Sequence, residues 1–158
     1  MAHETRRLLE AAAALHSMLL SAGVPHAFHG SFVVALLANA PSSEIEILPA
    51  GEEGPRRLDG TTVTLLAGLP VLTISEFVRA KLKAWVMYGA VHLRLSARGL
   101  KRRSRRADRD AEDIVFALAR YWNRVDINRI PEQDMHEFVV GHKAVAPAWA
   151  ELRRKYGL

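Results

Sequence analysis

The chain contains no cysteine. Disulfide staples and thiolate metal sites are excluded, and an intracellular, cytoplasmic location is expected. No apolar run approaches the roughly 18 residues needed to span a bilayer. The longest, Phe32 to Ala38, is helix-sized, so no membrane partner is expected. Arg6 and Arg7 precede the alanine-rich stretch 11–20, but Glu10 and His16 break its apolar character, which argues against a secretory signal. Glu4 and Glu10 likewise argue against an acid-poor transit peptide. There is no internal repeat, and no compositional bias beyond one arginine cluster.

What remains is a chain of 158 residues, 49% hydrophobic and 25% charged, which suits a single globular domain with a genuine core. Its net charge is +5, and much of the excess is local. Arg98, Lys101, Arg102, Arg103, Arg105, Arg106 and Arg109 are opposed only by Asp108. Such a stretch reads either as a solvated basic loop or as a loop that contacts phosphates. Arg102, Arg103, Arg105 and Arg106 are the candidate phosphate contacts, and the 98–109 stretch is the candidate surface for nucleic acid.

Periodicity places the elements. Leu8, Ala12, Leu15 and Leu19 share a face, so residues 5–21 are predicted to be an amphipathic helix, stopped by Gly23 and Pro25. A short strand follows over 26–28, then a helix over 31–38 ended by Pro41. Glu44 to Leu48 alternates polar and apolar residues, as a half-buried strand does. Thr61 to Leu66 is a second alternating segment; Gly68 and Pro70 break it, and Val71-Leu72 reads as a short edge strand. Ser75 is the predicted N-cap of a helix reaching about Tyr88, and further helices are expected over 108–121, 132–141 and 145–155. Trp85, Trp122 and Trp149 lie in apolar helical patterns and are expected in the core. The class is therefore α+β: a small mixed sheet flanked by helices, then a helical C-terminal half. The expected organisation is one domain over 1–158, with a sheet-containing core over about 5–72 and a helical part over about 75–158.

The segment Phe28-His29-Gly30-Ser31 precedes, by about a dozen residues, the strand Glu44-Ile45-Glu46-Ile47. Further on come Lys81-Leu82-Lys83-Ala84 and Asp110-Ala111-Glu112-Asp113-Ile114. This ordered set resembles the nucleotidyltransferase-fold superfamily, in particular its small bacterial and fungal members, over about residues 15–121. The resemblance implies a minimal nucleotidyltransferase-like sheet. It also implies that Glu44 and Glu46 are the catalytic and metal-holding pair, with Gly30, Ser31 and Lys81 contacting the ligand. Carboxylates at i and i+2 on a strand point to one side and can grip magnesium together, and the metal neutralises charge on the transferred phosphoryl group. A glycine turn lets backbone approach phosphates at a helix N-terminus.

Two positions depart from the family. Glu44 stands where the family has aspartate, and Thr64 stands where a third carboxylate is expected; a neutral hydroxyl is no general base near neutral pH. Asp59 is the nearest acidic alternative. The resulting expectation is a catalytically reduced module that binds a nucleotide or another small ligand, with no resident cofactor. The alternative is an active magnesium-dependent enzyme moving a nucleoside monophosphate to a small molecule, protein or RNA. A further one is a cleft reused for unrelated chemistry.

Simpler roles stand beside each of these. Glu44 and Glu46 also read as exposed strand carboxylates, and Ser31 as an ordinary N-cap. Lys81 and Lys83 read as solvated lysines, and Asp110 and Asp113 as helix-terminal charges paired with Arg106 or Arg109. His26 and His29 are expected on opposite faces of their strand, which precludes a shared metal ion.

Overall fold

The computed structural model describes residues 3–38, 45–49, 55–97 and 104–158. It is an α+β protein whose contacts divide into two compact units, residues 1–77 and 78–158.

The first unit begins with α1, His3–Ser21. Ala12 is fully buried on its predicted apolar face, while Leu8, Leu15 and Leu19 are half-buried. Gly23, at φ +68°, ends the helix. Its amide donates to Leu20 O at 3.1 Å, and the Val24 amide donates to Leu19 O at 2.9 Å. This bond pair is the Schellman arrangement, which satisfies the last carbonyls of a helix when a glycine takes the left-handed conformation.

The sheet has four short strands: β1 (His26–His29), β2 (Glu46–Pro49), β3 (Val63–Leu66) and β4 (Leu69–Leu72), in the order β2-β1-β4-β3. β1 runs antiparallel to β2 and parallel to β4, and β3 and β4 form an antiparallel hairpin. The predicted edge strand at Val71-Leu72 is thus an interior strand, and it starts two residues earlier. Ala67 (φ 51°) and Gly68 (φ 76°) both take the left-handed region between Leu66 and Leu69, as a type I′ two-residue turn requires. The Ala-Gly pair therefore makes a hairpin where the sequence suggested a break. Pro70 is tolerated because β4 meets β1 at one register position, Phe28 opposite Val71.

β1 is buried along its whole length. Phe28, with no exposure, stacks tilted against Phe32 of α2 (Ser31–Ala38) at 5.5 Å between ring centroids. Burying each such ring contributes about 1.5–3 kcal/mol.

α3 spans Ile74–Ala97, nine residues beyond the predicted end. Its N-cap is Thr73 rather than Ser75: Thr73 Oγ1 accepts from the Glu76 amide at 3.3 Å. Thr73-Ile74-Ser75-Glu76 has the spacing of a capping box, and both Ser75 and Glu76 are buried.

The second unit is helical. α4 covers Ser104–Tyr121, so the latter part of the arginine-rich stretch is helix rather than loop. α5 (Glu132–Gly141) and α6 (Ala146–Lys155) follow, separated by short 3₁₀ turns. Leu82, Ile114, Leu118, Met135, Phe138 and Leu152 have essentially no exposure and form this unit's core. Trp149 is buried there, whereas Trp85 and Trp122 are only half-buried, against expectation. No described helix is long and apolar enough to cross a membrane.

Candidate functional site

The site in the first unit grows from the β1–α2 junction. Gly30 is buried and takes φ +72°, a conformation that costs an L-residue roughly 1–2 kcal/mol. Its carbonyl accepts from the amides of Val33 and Val34, at 3.1 and 3.2 Å, so Gly30 is the N-cap of α2 and has no side chain with which to cap it.

Glu46 supplies the missing acceptor. The β1–β2 register sets Glu46 opposite His29, beside the turn. Glu46 Oε1 accepts from the Ser31 amide at 3.3 Å and from Ser31 Oγ at 3.2 Å. A carboxylate here satisfies an amide that the helix leaves open and lies at the positive end of the helix dipole. The packing is close: a Cβ on residue 30 would overlap the Glu46 carboxylate. Glycine is therefore favoured at this position by its φ, and a larger residue would have to displace the Glu46 carboxylate.

Gly30, Ser31 and Glu46 are thus brought together as the spacing suggested. Ser31 acts as donor to a carboxylate rather than as the N-cap. Glu44 lies outside the described residues. Both histidines of β1 are buried, and His29 packs against Phe77 with ring centroids 5.1 Å apart. Thr64 is exposed on β3. Asp59 is spent on the turn before β3, where its Oδ1 accepts from the Thr61 amide at 2.8 Å and from Thr61 Oγ1 at 2.6 Å.

Lys81 belongs to the second unit and is not a solvated lysine. Its residue is 7% exposed, and Nζ lies 3.2 Å from Asp110 Oδ1 and 3.0 Å from Asp113 Oδ2. The two aspartates, one turn apart on α4, therefore pair with a lysine of α3. A buried cation needs such partners, because leaving either charge alone costs several kcal/mol. Lys83, two residues on, is exposed. Sequence reasoning singled out these residues separately and missed their union.

Arg102 and Arg103 lie outside the described residues, and Arg105 and Arg106 fall in the first turn of α4. An open groove of about 480 Å³ on the second unit is lined by Asp108, Ala111, Glu112, Val115, Phe116 and His142. None of the site residues expected from the sequence lines it. Among the described residues no group of three or more histidine or acidic side chains is placed to hold a metal ion. Comparison with protein-family models, curated proteins and solved structures finds no match for this chain.

Proposed function

We propose that the protein is a binding module on a nucleotidyltransferase-like frame, catalytically reduced, which takes an anionic small ligand such as a nucleotide at the Gly30–Ser31 turn. The observation that carries this reading is the convergence of the Ser31 amide and hydroxyl on a single carboxylate oxygen at the N-terminus of α2. Two donors aimed at one oxygen suit a phosphate as well as a carboxylate. In this reading a ligand oxygen takes the place of Glu46 Oε1 and the Glu46 side chain swings aside.

The chemistry already described supports reduced catalysis. Glu46 is engaged by the helix, Thr64 is neutral, and Asp59 is held in a turn. No group among them is poised to take a proton from an attacking hydroxyl.

Thermal unfolding with millimolar ATP, GTP, CTP or UTP, with and without magnesium, tests the proposal. A ligand at a hundred times its Kd stabilises the native state by about 2.7 kcal/mol, which raises Tm by several degrees. The shift should shrink in Ser31→Ala, and no pyrophosphate should be released. No shift with any nucleotide would remove the nucleotide from the reading. Pyrophosphate release would replace binding by nucleotidyl transfer.

A further inference from the structure

His16 lies on α1 and His26 opens β1, and the two rings are joined: His16 Nδ1 is 2.8 Å from His26 Nε2. His26 Nδ1 is in turn 2.8 Å from the carbonyl oxygen of Val24. A carbonyl only accepts, so His26 Nδ1 carries a proton. In the neutral ring Nε2 is then the acceptor, and His16 Nδ1 must donate to it. One backbone carbonyl thus dictates the tautomers of both rings. His26 is buried, with its ring edge-on to Phe28 at 6.0 Å.

Counting protons shows what this chain of bonds tolerates. One added proton leaves a single N–H bridging the facing nitrogens, whichever ring holds the charge. A second added proton leaves both facing nitrogens protonated. The bridge is then lost, and two cations oppose each other across 2.8 Å.

Among the described residues, the surrounding elements bring little to offset that charge. One turn from His16 on α1 are Ala12, Ala13, Leu19 and Leu20, and the charged residues Glu4, Arg6, Arg7 and Glu10 lie further toward the start of the helix. α1 packs on β4, whose residues Leu69 to Leu72 carry no charge. On β2, Pro49 stands opposite His26. The titratable groups that β1 and β2 contribute among the described residues are His29 and Glu46, at the other end of the pairing. Glu52 and Glu53 follow Pro49 in the sequence and lie outside the described residues.

We propose that His16 and His26 form an acid-sensitive latch that ties the C-terminal half of α1 to the start of β1. It is closed at neutral pH and open in mildly acidic solution. The latch couples acidity to the order of α1 without any ligand.

Amide hydrogen exchange on the full chain tests the latch, with rates corrected for the intrinsic pH effect. Between pH 7.5 and pH 5.0, amides of residues 16–24 should lose about tenfold in protection, the effect of one hydrogen bond exchanged for a repulsion. Amides of α4 should change less than twofold. In His16→Ala the same residues should be poorly protected at both pH values, with no pH step. E52Q/E53Q should keep the wild-type step.

A wild-type step below twofold, an equal step in α4, a step retained in His16→Ala, or one abolished by E52Q/E53Q would each overturn the proposal. Should His16→Ala fail to fold, imidazole ¹⁵N shifts of the wild type decide. His26 protonated on Nδ1 at pH 7.5 supports the latch, and His26 protonated on Nε2 refutes it.

Discussion

Replacing Gly30 by alanine probes the β1–α2 junction through two separable effects. Holding alanine at φ +72° costs about 1–2 kcal/mol. The new Cβ also overlaps the Glu46 carboxylate and must expel it, breaking its bonds to Ser31 N and Oγ. A helix cap of this kind is worth about 1–2 kcal/mol. Gly30→Ala should therefore cost about 2–4 kcal/mol, and Glu46→Ala about 1–2 kcal/mol. The double variant should cost no more than Gly30→Ala alone, since the carboxylate can be lost only once. The expected coupling is thus about 1–2 kcal/mol, well outside the scatter of independent sites. Fluorescence cannot follow this unit, because every tryptophan and tyrosine lies at residue 85 or beyond. Amide exchange at Phe28 and Val33, both buried on either side of the turn, reports it directly. Costs that simply add in the double variant would refute the shared-carboxylate account.

The second unit offers two further tests. Lys81→Met leaves Asp110 and Asp113 facing a hydrophobic side chain, at an expected cost of about 3–5 kcal/mol. Urea unfolding followed by tryptophan fluorescence reads it, and adding D110N and D113N should restore much of the loss; an unmoved midpoint would count against the buried cluster. Glu132 is exposed, and its carboxyl is held below the ordinary value by the hydrogen bond from Arg153, then by that from His136. Since the folded value is the lower one, the α5–α6 link contributes above the ordinary carboxylate range and is lost as pH falls through the folded value. Arg153→Met should move the Glu132 titration midpoint upward in a carboxyl ¹³C experiment, and a midpoint that stays put would disprove the link.

Local signals made much of the fold legible. Gly23 and Pro25 closed α1 where expected, and α2 occupies residues 31–38 as its apolar run and flanking residues implied. The failures have physical causes. Pro70 breaks a strand only where that strand is paired along its length on both sides, and β4 meets β1 at one register position. Ser75 reads as a cap on residue type alone, whereas Thr73 stands three residues before Glu76 and so completes a capping box. Lys81 illustrates a different limit. Periodicity can show that a lysine lies off the apolar face, but not that two aspartates 29 and 32 positions later will meet it.

Glu46 shows the same limit at the candidate site. Alternation along a strand says that acidic residues at i and i+2 share a face, and that pattern suggests a pair open to metal. What occupies the space in front of that face is decided by the neighbouring strand. Here the register sets Glu46 opposite His29, one residue before a glycine turn whose helix lacks a side-chain cap. An unfilled helix N-terminus and a carboxylate within reach satisfy one another without any ligand. A divalent ion recruited by Glu46 would first have to replace the two Ser31 donors on Oε1, so metal capture and α2 capping compete for one carboxylate. The spacing that suggested catalysis therefore has a structural use of its own, and an anion at the Ser31 donors would be what releases Glu46 from it.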